Sequence, residues 1–181
     1  MNLMDKYRNE AKRLAETTLR TGGRIALFEF RDLDDPFPTK MHCDLSCDYA
    51  TFVQKLDNIQ SENEAGGDSE ESTLSAMIYA MDKVNWQDGA NKSMVVVTDG
   101  GYLEPDRDGT TLEKVVRRSL EIDPVNAYFV TSSSNKPLYQ KLAGMTGGRV
   151  FSPGSQLTDI TDAIVNRPVV KLAKVKYAVP T

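Results

Sequence analysis

SMVVVTDGG, residues 93–101, is the stretch whose reading decides the fold. Met94, Val95, Val96, Val97 and Thr98 form an unbroken apolar or β-branched run that ends in Asp99-Gly100-Gly101. A strand apolar on both sides needs cover on both sides, as strands of parallel sheets receive from helices. The Asp-Gly-Gly exit is turn chemistry.

Working outward toward the carboxyl end, Asp108-Gly109 leads into TTLEKVVRRSLEI (110–122). Thr110 or Thr111 can cap a helix there that carries Leu112, Val115, Val116 and Leu120. VNAYFVTSS (125–133) reads as a second buried strand. KPLYQKLAGMTGG (136–148) reads as a helix with Pro137 in its first turn and glycine at its end. RVFSPG (149–154) is a short strand and SQLTDITDAIVNR (155–167) a helix.

Toward the amino end, TLSAMIYAMDKV (73–84) is an apolar helix, and SENEAGGDSEES (61–72) a polar loop before it. YATFVQKLDNIQ (49–60) has helical spacing at Phe52, Val53, Leu56 and Ile59. KMHCDLSCD (40–48) is a more polar strand suited to a sheet edge. RIALFEFRD (24–32) is apolar on both faces for most of its length, and residues 3–21 form an amphipathic helix closed by Gly22-Gly23. From residue 24 the order is β-β-α-α-β-α-β-α-β-α. That alternation specifies an α/β fold: a doubly wound, mostly parallel sheet flanked by helices, with one antiparallel edge strand. Ligands of such sheets sit beyond the carboxyl ends of strands.

Composition bounds the function. The chain has 181 residues, 40% apolar and 27% charged, with a formal net charge of -4. It is long enough for one domain with a substantial core. No basic run offers a nucleic-acid surface, no apolar stretch reaches a membrane span, and the charged, helical first residues do not form a signal peptide. Cys43 and Cys47 read either as small half-buried residues or as a local disulfide, which a tight turn permits and an extended segment forbids. Beside them His42, the only histidine, makes a weak zinc signal without a fourth ligand. An enzyme is not expected. Gly66-Gly67 lacks the Lys-Ser/Thr of a phosphate loop, and there is no G-x-S-x-G.

Several segments together resemble the von Willebrand factor A family: IALFEFRD, GGDSEESTLSAMIYAM, KSMVVVTDGG, VNAYFVTSS and LAGMTGGRVFSPG. The resemblance covers about residues 3–166. It implies a Rossmann-like sheet, a non-enzymatic protein-binding or adhesion role, and a metal-ion-dependent adhesion site that usually holds magnesium. In the family, a central first strand carrying D-x-S/T-x-S lies between the IALFEF-like and VVVTDG-like strands. That motif is absent here. Carried over residue by residue, Asp99 and one of Asp68 or Ser69 remain as metal candidates, and Arg31, Asp32 and Gly100 lie on the ligand-binding rim. Two ligands are few for an octahedral Mg2+, so no tightly bound ion is expected in this chain, while a longer protein could hold one. Asp99 also reads as a turn residue, and Asp68 and Ser69 as loop or helix-capping residues; Thr73 is expected on the helix surface. Without the central strand, the strands at 24–32 and 93–98 each keep an unpaired edge. An upstream strand, a strand exchanged with a second copy in a homodimer, or the chain's own tail could fill the gap. The domain is expected over 1–167. RPVVKLAKVKYAVPT (167–181) resembles the opening strand of an immunoglobulin-type module that follows A domains on bacterial surfaces, which suggests extracellular or cell-surface display. A metal-independent assembly scaffold is the alternative function, and a nucleotide- or phosphate-handling enzyme of similar shape is a third. The partner expected is a protein.

Overall fold

A computed structural model describes residues 3–31, 38–59 and 70–165. The elements are helix α1 (Leu3–Arg20), strands β1 (Leu27–Phe30) and β2 (Thr39–Cys43), α2 (Tyr49–Asp57), β3 (Glu70–Glu71) and α3 (Thr73–Lys83). They continue as β4 (Lys92–Val97), β5 (Gly101–Tyr102), α4 (Leu112–Glu121), β6 (Val125–Val130), α5 (Lys136–Met145), β7 (Val150–Phe151) and α6 (Leu157–Val165).

The 93–101 segment becomes the strand its composition demands. β4 pairs in parallel with β6 along its whole length, from Lys92 opposite Val125 to Val97 opposite Val130. β6 in turn pairs in parallel with β7. Every residue of β6 is buried, so both of its faces are covered. Ala127 and Phe129 on one face join the main core with Leu74 and Met77 of α3, Leu112 and Val115 of α4, and Tyr139 and Leu142 of α5. On the opposite face Tyr128 donates a hydrogen bond from its hydroxyl to the Ala163 carbonyl of α6. Period-2 alternation thus places α3, α4 and α5 on one side of the sheet and α6 on the other.

β1 shows the same division. Leu27 packs in a second cluster with Ala15 of α1 and with Phe52 and Leu56 of α2. Phe28 meets Tyr79 of α3 edge-on at 6.3 Å, and Phe30 packs against the main core. β2 runs antiparallel to β1, as the expected edge strand. β1 and β4 both belong to this two-sided arrangement, yet they do not pair: the sheets among the described residues are β1-β2, β3-β5 and β4-β6-β7.

The hydrogen-bond phase makes the break explicit. Thr98 N–H donates to the Val130 carbonyl, so even-numbered residues of β4 point their N–H and C=O toward β6. Ser93, Val95 and Val97 therefore point theirs the other way, where no described strand receives them. Val97 is 37% exposed, while its neighbour across the ladder, Val130, is buried.

Several boundaries differ from expectation. The second strand stops at Cys43 rather than residue 48, because Asp44–Cys47 closes a turn (Cys47 N–H to Asp44 O, 2.9 Å) and Asp48 caps α2 by accepting from Thr51 N–H. The 24–32 strand shortens to Leu27–Phe30 and the 149–154 strand to Val150–Phe151. Two short strands escaped the sequence reading. Glu70–Glu71, assigned to a loop, pairs in parallel with Gly101–Tyr102 beyond the TDG turn. Of the two candidate caps, Thr111 caps α4. The tail at 167–181 lies outside the described residues.

Candidate functional site

Asp99 and Gly100 follow β4 directly, at the carboxyl end of the parallel sheet, where an α/β fold presents ligands. Asp99 is exposed, and no described hydrogen bond or ion pair engages its carboxylate. Its backbone is held instead. Asn135, at the start of α5, donates from Nδ2 to the Asp99 carbonyl at 2.7 Å.

Below Asp99 lies a set of hydrogen bonds around Gly100. Gly100 N–H donates to Thr98 Oγ1 at 3.1 Å. Tyr139 Oη donates to the Gly100 carbonyl at 3.2 Å, and the Thr73 hydroxyl lies 3.2 Å from the same phenol oxygen. Tyr139 and Thr73 are wholly buried. The Tyr139 ring stacks on Phe129 at 4.9 Å and meets Tyr102 edge-on at 5.2 Å. Burial pushes the Tyr139 phenol up to about 12, against the Thr73 hydrogen bond, which works to lower it. The Tyr102 phenol also rises to about 12, by burial and then by the Glu104 carboxylate. Both phenols are therefore neutral donors at any ordinary pH. The result is an exposed carboxylate on a turn fixed from three elements: β4, α3 and α5.

Tyr7 of α1 approaches from the other side. Its phenol is pushed up by burial and then by the negative charge of Asp99. Its hydroxyl is buried with no described hydrogen-bond partner.

The other expected residues separate into two groups. Asp32, Asp68 and Ser69 lie outside the described residues. Arg31 is described and is committed elsewhere: its Nε and Nη2 donate to Glu29 Oε1 at 3.0 and 2.8 Å. Glu29 Oε2 lies 2.7 Å from His42 Nε2. All three side chains are nearly buried, at 11–14% exposure. Arg31 thus bridges to Glu29 along its own strand. Thr73 corrects an expectation, since it is fully buried beneath Gly100 and not on a helix surface. The sequence reading missed Tyr139, Thr98 and Asn135. Tyr139 sits at a core position of an amphipathic helix and gives no polar signal of its own.

Among the described residues no three His, Cys, Asp or Glu side chains gather as a metal site. Asp99 alone offers a free carboxylate at the rim, and Thr98 Oγ1 already accepts from Gly100. These residues by themselves do not fit an octahedral cation.

No family model matches the sequence, and no curated protein matches it significantly. Solved structures do match. The VWA domain of SpRpn10 superposes with a TM-score of 0.60 at 11% identity, covering 87% of this chain and 82% of that one. The fold is that of a von Willebrand factor A domain. Proximal thread matrix protein 1 from the mussel byssus also matches, with a TM-score of 0.61 at 14% identity over 91% of this chain. The same mussel protein with a zinc-occupied MIDAS motif gives a TM-score of 0.53 at 12% identity. This chain spans 40% of the mussel protein's length. Against the von Willebrand factor A pattern, β1 and β4 are the IALFEF-like and VVVTDG-like strands, which do not pair with each other among the described residues.

Proposed function

We propose that this von Willebrand factor A-like domain is a non-enzymatic protein-binding module whose partner contacts the carboxyl rim at Asp99 and Gly100. The observation that carries the reading is the exposed Asp99 carboxylate on a turn locked by buried bonds to Gly100 and by Asn135. A fixed, uncommitted charge at the end of a parallel sheet suits recognition: it orients a partner without ordering cost. A protein ligand with a basic or metal-borne contact group is the matching chemistry. Magnesium belongs to this reading only through Asp68 or Ser69 joining Asp99. Exchange of a strand with a second copy along the edge of β4 that no described strand pairs, and display at a cell surface, are parts of the same proposal.

The test is site-resolved photo-crosslinking in an extract of the source cells. A crosslinker at Ser133, beside the rim, should capture a defined protein, and Asp99→Arg should abolish the capture. The same crosslinker at Asp88, before β4 and so at the opposite end of the strand, should not. Capture from Asp88 alone, or capture from Ser133 indifferent to Asp99→Arg, would overturn the rim assignment. Calorimetry with Mg2+ and Mn2+ then separates the two functional classes. Binding that Asp99→Ala removes marks a metal-dependent adhesion module, and partner capture without a metal response marks an assembly scaffold.

A further inference from the structure

The turn between β2 and α2 brings the two cysteines of the chain together. Cys43 ends β2 and Cys47 immediately precedes Asp48, the cap of α2. Between them the chain reverses sharply. Cys47 N–H donates to the Asp44 carbonyl at 2.9 Å, and Leu45 N–H donates to Asp44 Oδ1 at 2.7 Å. Both side chains fold into one cluster: Cys47 is 8% exposed beside Ala15, Phe52 and Leu56, and Cys43 packs against that cluster with Ile25 and Leu27. Both thiols are free and belong to the same cluster.

We infer that Cys43 and Cys47 form a reversible intramolecular disulfide that ties the end of β2 to the start of α2. An extended CDLSC segment would hold its thiols apart, whereas the Asp44–Cys47 turn folds them back into one cluster. The reaction partner is a low-molecular-weight disulfide. Cys43, the more accessible thiol, loses its proton to solvent and its sulfur attacks one sulfur of the reagent. The reagent's S–S bond breaks and one thiolate leaves, taking up a proton. Cys47 then loses its proton and attacks the Cys43 sulfur of the mixed disulfide, expelling the second reagent thiolate, which is protonated in turn. Two protein thiols and one small disulfide become one protein disulfide and two small thiols.

Burial, then the hydrogen bond with Cys47, push the Cys43 thiol up to about 12. Its thiolate is scarce at neutral pH, so the first exchange is slow and the second, intramolecular between two cysteines of one turn, is fast. The mixed adduct should not accumulate. The bond would cross-link residues belonging to the α1–β1–α2 cluster, apart from the Asp99 rim.

Intact-mass spectrometry of the full chain, incubated with oxidised glutathione across a range of glutathione ratios, tests this. The expected product is a loss of about 2 Da with little glutathione adduct, reversed by dithiothreitol, and a rise of about 5 °C in Tm. Cys43→Ser and Cys47→Ser each abolish the mass loss and the Tm rise. Cys47→Ser also traps the glutathione adduct on Cys43. Persistent adducts on both cysteines of the wild type would overturn the inference, as would thiols that stay reduced under conditions in which Cys47→Ser becomes glutathionylated. A disulfide that lowers Tm would also overturn it, since the folded turn would then not be the geometry that makes the bond.

Discussion

Tyr139→Phe removes the hydroxyl that supports Gly100 and leaves the aromatic packing on Phe129 and Tyr102 in place. The loss is confined to hydrogen bonds. The Tyr139 hydroxyl donates to the Gly100 carbonyl and receives the Thr73 hydroxyl, both at 3.2 Å. Thr73 is fully buried, so its hydroxyl has no water to turn to. A buried donor left unmatched costs about 1–3 kcal/mol, and these bonds are of middling length. The expected destabilisation is about 2 kcal/mol, a drop of about 4–8 °C in Tm for a chain of this size. Urea melts of Tyr139→Phe, Thr73→Val and the double variant measure it. The double variant should be about 1 kcal/mol more stable than the two single losses predict, because the second deletion removes a partner already orphaned. Additive losses, or a Tyr139→Phe cost below about 0.5 kcal/mol, would show that the hydroxyl does not hold the rim.

Other consequences follow from particular contacts. A Cβ on Gly148 would lie 1.7 Å from the Ala127 carbonyl oxygen of β6. Gly148→Ala must therefore push the end of α5 off the sheet and should cost at least about 3 kcal/mol, read from chemical denaturation. Ser119 donates to the Val125 carbonyl at 2.7 Å and accepts from Val125 N–H at 3.1 Å in a buried site. Ser119→Ala should lower stability by about 1–3 kcal/mol in the same assay, and a neutral result would refute its role in joining α4 to β6. Tyr139 ionises near 10 when unfolded and at about 12 when folded. Its contribution is thus complete below pH 10 and is lost as pH rises from 10 to 12, by up to about 2–3 kcal/mol. Urea melts across that range should fall less steeply for Tyr139→Phe than for the wild type.

The fold was legible because its decisive strands are apolar on both faces. Residues 94–98 and 125–130 admit no other cover than helices on both sides, and the β-α alternation then fixes parallel order. The antiparallel edge strand was equally visible in the polarity of residues 40–43. Two-residue strands were not, since Glu70–Glu71 and Gly101–Tyr102 are defined only by each other, across a separation that no local pattern records. The site was half legible. Asp99 and Gly100 stand out as a turn at a strand end, but what fixes them does not: Thr73, Thr98 and Tyr139 meet only in three dimensions, and a tyrosine on an apolar helix face looks like core.

Amide hydrogen exchange along β4, read residue by residue by NMR, tests most directly whether the sheet is open between β1 and β4. Met94, Val96 and Thr98 direct their N–H groups to β6 and should exchange slowly, as β6 itself does. Ser93, Val95 and Val97 direct theirs to the edge that no described strand pairs and should exchange at least about a hundredfold faster. Uniform slow exchange down β4 would contradict the divided sheet, because it would mean that the strand is hydrogen-bonded along both edges.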